Sequence, residues 1–175
     1  MIRKIALVGM MGSGKSVVGA MVARSLRLPF LDLDDEIERR EGMTVAEIFA
    51  LHGEPYFREV EAALLTEVCG RGEAVVATGG GTVLREQNRL LLRQWGKTIY
   101  LRATAETLST RLAGKEVEGR PLLAGGRRED RLRTMLAARE DAYREADWTV
   151  DTDALDARAV ARTIEKYLTG QSQFE

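Results

Sequence analysis

An α/β fold, with a parallel sheet covered by helices on both faces, is what this sequence predicts, and three observations predict it. Short apolar runs alternate with stretches of helical periodicity along the whole chain, the pattern of βαβ crossovers. A glycine-rich segment, Gly9-Met10-Met11-Gly12-Ser13-Gly14-Lys15-Ser16, joins the first run to the first helical stretch. The length of 175 residues, with no repeat, low-complexity tract or linker, suits one domain, taken as 1–170, with a frayed tail over 171–175.

The elements follow in order. Strands are predicted at 4–8, 30–32, 74–77, 98–101 and 148–150, each too short and too apolar for a surface helix. Helices are predicted at 15–26, 34–41, 45–51, 56–69, 85–95, 104–112, 128–145 and 156–168. Gly53 separates the third from the fourth, and Pro55 suits the first turn of the latter. In that helix Phe57, Val60, Glu61, Leu64, Leu65 and Val68 share a stripe, and in 128–145 Leu132, Met135, Leu136, Arg139 and Tyr143 do. The segment from 114 to 128, GKEVEGRPLLAGGRR, has four glycines, a proline and several charges. It is predicted to be a long functional loop in which Arg120-Pro121-Leu122-Leu123 sets one cation beside an apolar cluster able to close over a ligand.

Composition narrows the function. With 26 basic and 27 acidic residues the net charge is −1, which offers no bulk attraction to nucleic acid or an anionic membrane. Met1-Ile2-Arg3-Lys4 runs directly into the first strand, so no leader, no membrane span and a cytoplasmic location are expected. Cys69 is the single cysteine and His52 the single histidine, which excludes an internal disulfide, thiolate metal sites and His-cluster chemistry. Cys69 reads as an apolar filler and His52 as a residue at a helix end.

The chemistry concentrates after the strand ends, where open parallel sheets collect ligands. Residues 9–16 satisfy G-x-x-x-x-G-K-[ST] between a strand and a helix, so successive backbone N–H groups can cradle phosphates at a helix N-terminus. Gly12, Ser13, Gly14, Lys15, Ser16 and Val17 are the candidate nucleotide-binding residues, with Lys15 reaching the β- and γ-phosphates and Ser16 placed to ligate Mg²⁺. Asp32, ending the second strand, can hold the metal through its waters. Asp34 can accept a proton from a substrate hydroxyl, although it also suits a helix N-cap. Gly79-Gly80-Gly81 follows the third strand and strips Cβ atoms from one face of a turn, so that a ligand can lie on backbone amides. Arg139 sits on the inward stripe of its helix, and Arg58 lies three residues before Glu61, a spacing for an orienting ion pair. Both suit a substrate carboxylate, and both also suit structural salt bridges.

Phe30-Leu31-Asp32-Leu33-Asp34 with Ile37-Glu38, Phe57-Arg58 with Glu61, the glycine triplet, Arg120-Pro121-Leu122-Leu123, and Arg139 before Tyr143 together resemble shikimate kinases, over nearly the whole chain. The resemblance implies a P-loop kinase fold like that of nucleoside monophosphate kinases, a five-stranded parallel sheet flanked by helices, with a mobile lid over about 113–128. It implies ATP and shikimate as substrates, Mg²⁺ as cofactor, and phosphoryl transfer to the 3-hydroxyl of shikimate by a monomer. It further implies that Arg58 and Arg139 hold the carboxylate, that Asp34 holds the ring hydroxyls and orients or deprotonates the attacking one, and that the backbone at Gly80 completes the site. Val45, Phe49 and Phe57 are implied as its apolar wall, with Pro121 and Leu122 closing on it. Lys15 and Arg120 are implied at the phosphates and Arg111 on the adenine, while the contacts after Asp153 stay open because Ala154-Leu155-Asp156 departs from the family pattern. A gluconate-type sugar-acid kinase shares the P-loop but does not account for Arg58, the glycines and Arg139. A nucleotide switch would not need an inward Arg139, and no Asn-Lys-x-Asp sequence is present.

Overall fold

A computed structural model describes residues 2–113 and 128–170; residues 114–127, which hold most of the expected lid with Arg120, Pro121 and Leu122, and the tail 171–175 lie outside the described residues. The strands are β1 (Lys4–Val8), β2 (Phe30–Asp32), β3 (Ala74–Ala77), β4 (Lys97–Arg102) and β5 (Trp148–Asp151). All pair in parallel in the order β2-β3-β1-β4-β5. The helices are α1 (Lys15–Leu26), α2 (Leu33–Glu41), α3 (Val45–Cys69), α4 (Glu86–Trp95), α5 (Ala105–Ala113), α6 (Arg128–Arg144) and α7 (Ala157–Thr169), with a 3₁₀ turn at Thr82–Leu84. None of the described helices is long and apolar enough to cross a membrane.

Alternation along β1 divides the core. Ile5 and Leu7 point to one face and pack with Val18 and Val22 of α1 and Val160 and Ile164 of α7. Ala6 and Val8 point to the other and pack with residues of α2 to α6, among them Ile37, Leu64, Leu92 and Leu132. The central strands β1, β3 and β4 are buried on both sides, which is why these runs read as apolar without alternation.

Three local features have clear causes, and the last departs from the sequence reading. The two helices predicted at 45–51 and 56–69 follow each other in α3 and are separated, as expected, at Gly53, whose φ of 81° and ψ of 169° are not helical. Pro55 is tolerated just past that break because the first-turn N–H it lacks has no helical acceptor there. The N-cap of α2 is Asp32, whose side chain accepts the Asp34 N–H at 3.0 Å, so Asp34 itself is released from capping.

The register places the site. Leu7 of β1 and Asp32 of β2 both stand opposite Ala77 of β3. The segments that leave these strands, 9–14, 33–35 and 78–81, therefore emerge side by side at the carboxyl edge of the sheet.

Candidate active site

At that edge lies a cavity of ≈ 570 Å³, within the size range of small-ligand sites. It is lined by Gly12, Ser13, Gly14, Lys15, Ser16, Val17, Asp32, Asp34, Arg58, Gly79, Gly80, Gly81, Arg111 and Arg139, so the described candidates for nucleotide, metal and substrate binding meet here.

The phosphate side is built by the loop between β1 and α1. Gly12 at φ 82° and Gly14 at φ 99° adopt left-handed conformations that a side chain would strain, and a Cβ on Gly12 would also crowd Leu112 at 3.0 Å. Gly14 caps α1 without a side chain, which leaves the first-turn N–H groups open to an anion. Lys15 is buried, its Nζ donating to the carbonyls of Gly9 at 2.8 Å and Met10 at 3.0 Å. Ser13 is buried as well, and its hydroxyl has no hydrogen-bond partner among the described residues. The Ser16 hydroxyl donates to Asp32 Oδ2 at 2.5 Å. A hydroxyl beside a carboxylate, both hard oxygens and both facing the phosphate loop, fits Mg²⁺, whose remaining positions phosphate oxygens and water can fill. Among the described residues no group of three or more His, Cys, Asp or Glu offers an all-protein metal cage.

The other side is built by α3, α6 and the glycine turn. Arg58 Nη1 donates to Glu61 Oε2 at 2.9 Å, and Glu54 Oε1 accepts from Nη2 at 2.9 Å and Nε at 3.2 Å. Burial works against the Arg58 charge, but Glu61 and Glu54 outweigh it and hold the guanidinium pKa above its ordinary value. Glu61 is fully buried and accepts from Thr82 Oγ1 at 2.5 Å, so its second oxygen is also satisfied. Arg139 is buried on the inward face of α6, and its Nη1 donates to the Gly80 carbonyl at 3.3 Å. Phe49 and Phe57, with ring centroids 5.0 Å apart, form an apolar wall together with Val45.

Asp34 stands between the two halves. Burial chiefly, then the nearby charges of Asp32 and Glu61, push its carboxyl up to about 6, against the opposing pull of Lys15 and Arg58. A carboxylate with this pKa accepts a proton near neutral pH more readily than an exposed one.

The glycine triplet has a reason that the sequence reading did not contain. A Cβ on Gly79 would lie 2.5 Å from Glu61 Oε1 and 2.9 Å from Asp34 Oδ1, and one on Gly81 would overlap the Arg58 guanidinium. These two positions are glycine because the site's own side chains pack on them, and only secondarily because a ligand could. Arg111 is likewise tied down, donating to Thr152 Oγ1 at 2.9 Å and to the Thr152 carbonyl at 2.5 Å. After Asp153, Leu155, Asp156, Ala157 and Val160 also line the cavity. Thr152, Glu54 and Thr82 were missed. Thr82 immediately follows the triplet, and Glu54 lies four residues before Arg58, the one spacing that could have flagged it.

A family model describing shikimate kinase matches residues 11–169. A shikimate kinase of Thioalkalivibrio sulfidiphilus is 44% identical over 164 residues, covering 93% of this chain and 85% of the relative. One of Moorella thermoacetica is 46% identical over 164 residues, covering 94% and 93%. Among solved structures, shikimate kinase from Acinetobacter baumannii in complex with shikimate superposes with a TM-score of 0.92 at 37% identity, covering 99% of this chain and 97% of that one. A gluconokinase from Sinorhizobium meliloti superposes with a TM-score of 0.58 at 21% identity over 98% of each chain, a likeness of fold alone.

Proposed function

This chain belongs to the shikimate kinase family and phosphorylates shikimate, and from that premise we propose how its residues divide the work. Arg58 and Arg139 clamp the substrate carboxylate, each offering N–H donors that the described contacts leave over. Asp34 binds the 3-hydroxyl and takes its proton as the oxygen attacks the γ-phosphorus. The bond from that phosphorus to the β-bridging oxygen breaks, leaving ADP and shikimate 3-phosphate. Lys15 exchanges its backbone carbonyl contacts for β- and γ-phosphate oxygens and stabilises the charge that moves between them. Ser16 and Asp32 would hold Mg²⁺, which when bound neutralises the phosphates. Arg120 adds a second cation from the 114–127 segment, by sequence alone. Arg111 holds the adenine side of the cavity. The need for ATP supports a cytoplasmic location.

The observation that carries this division is the placement of two arginines and a half-buried aspartate of raised pKa beside one phosphate loop. A coupled ADP-release assay over shikimate, gluconate and other hydroxy acids tests it, with MgATP and with ATP in chelator. Turnover with shikimate that needs Mg²⁺ and is absent with gluconate is the expected result. Equal turnover with gluconate would sink the two-arginine clamp as the source of specificity.

A further inference from the structure

Arg139 and Gly80 do not meet alone. Tyr143, one turn after Arg139 on α6, is fully buried and donates its hydroxyl to the same Gly80 carbonyl at 2.5 Å. Its ring stacks on Tyr100 of β4, with centroids 5.0 Å apart and planes at 19°. The Tyr100 hydroxyl goes elsewhere, to Glu140 at 2.8 Å. The Gly80 backbone also rests against the phosphate loop, where a Cβ would stand 3.3 Å from Met11 N. One carbonyl of a three-glycine turn is thus held from α6 by two donors and backed by the P-loop.

We propose that Tyr143 is a positioning residue for shikimate, a lock that fixes the Gly80–Gly81 peptide and spares Arg139 for the substrate carboxylate. A run of glycines has little intrinsic resistance to peptide rotation. In a trans peptide the N–H points opposite the carbonyl, so pinning Gly80 O towards α6 aims the Gly81 N–H away from it. The carbonyl has two acceptor positions. With Tyr143 filling one at short range, Arg139 reaches the other from Nη1 at 3.3 Å, an atom that also donates to Met10 Sδ at 3.8 Å, so the rest of the guanidinium can turn to an anion. Without the hydroxyl, a buried acceptor lacks its shorter bond, and Arg139 is the one donor at hand to move in, away from the substrate. Burial above all pushes the Tyr143 phenol up to about 12, so it stays a donor throughout the range in which the enzyme is assayed.

The inference rests on the reading of Arg139 as a carboxylate clamp, and the test separates the two. Tyr143→Phe keeps the ring and its stacking and deletes only the donor. Its shikimate KM and Kd should rise about tenfold, the size of one hydrogen bond lost at a buried acceptor, while MgATP KM and kcat stay within about twofold. Tyr100→Phe, which removes a comparable hydroxyl not directed at Gly80, should leave shikimate KM unchanged. In an Arg139→Lys background, Tyr143→Phe should add much less than its own tenfold, because both act at one acceptor. A loss shared equally between shikimate and MgATP, or matched by Tyr100→Phe, would show a packing role and overturn the lock. An unchanged shikimate KM in Arg139→Lys itself would instead overturn the clamp. A second measurement does not depend on the stability of the Phe variant. With 3-fluorotyrosine replacing the four tyrosines, the ¹⁹F resonance of position 143 should shift on adding shikimate and stay in place with MgATP alone. A resonance indifferent to shikimate also overturns the proposal.

Discussion

Gly81→Ala isolates the Arg58 clamp without touching any charged residue. The Gly81 backbone, at φ −105° and ψ −1°, is one that alanine adopts without strain, so any effect must come from the added methyl group. That methyl would lie 2.6 Å from Arg58 Cζ and 2.7 Å from Nη1, well inside van der Waals contact. A guanidinium at the end of a free side chain could swing aside at little cost. This one is 12% exposed and held by Glu61 on one edge and Glu54 on another, so it can move only by giving up the Glu61 bond and its position in the cavity. Hydrogen bonds to charged groups are worth about 1.5–3 kcal/mol, which corresponds to a shikimate Kd about 10- to 150-fold weaker. The proposed MgATP site is at the other side of the cavity, so its Kd should change by less than about twofold. Calorimetric titration of each ligand measures both numbers. Gly42→Ala is the matched control: it has open space around it but φ 66°, so it should cost about 1–2 kcal/mol of stability and leave both affinities alone. A Gly81→Ala protein that binds shikimate normally would mean that Arg58 does not hold the substrate.

Other substitutions test the remaining assignments. Lys15→Ala should lower kcat by about 10²-fold or more in saturating MgATP with the melting temperature little changed, since its proposed role is to stabilise charge moving between phosphates. Arg139→Ala should weaken shikimate by about 1.5–3 kcal/mol, and Arg139→Lys should recover only part, because an ammonium cannot reproduce the guanidinium fork; initial-rate KM values decide. For Asp34 the sign follows from a carboxyl raised from 3.8 to about 6 in the folded protein. Its proton-accepting form is lost as pH falls through about 6, so kcat/KM for shikimate should drop about tenfold per unit below that, a limb that Asp34→Asn abolishes along with most activity. The stability that Asp34 contributes is complete below about pH 4 and is lost as pH rises through about 6, so denaturant titrations should show Asp34→Asn gaining stability relative to the parent above pH 6.

What was legible in the sequence was whatever rests on neighbours along the chain. The P-loop could be read because its strand, glycines, lysine and helix are contiguous, and Arg58 could be paired with Glu61 because three residues on a helix bring side chains together. Arg139 was visible as a charge on an apolar stripe, where burial demands a partner, and the structure supplies the Gly80 carbonyl. The partners that were not legible are separated by long stretches of chain. Tyr143 meets Gly80 across 63 residues, Arg111 meets Thr152 across 41 and Thr82 meets Glu61 across 21, and no periodicity records such encounters. The encounters at Gly80 and Thr82 exist because the sheet order sets β3 between β2 and β1, so that the turn after β3 is enclosed by α3, α6 and the phosphate loop, while Arg111 and Thr152 follow the paired strands β4 and β5. The glycine triplet shows the consequence. Read alone, three glycines mean a turn open to a ligand; in the fold, two of them are the gaps that Glu61, Asp34 and Arg58 require. A glycine selected by its neighbours' volume cannot be distinguished in one sequence from a glycine selected by its own backbone. The φ angles make the distinction here, since Gly12 and Gly14 are left-handed while Gly81 is not. Alanine should therefore be costly at Gly12 and Gly14 through backbone strain and at Gly81 through Arg58.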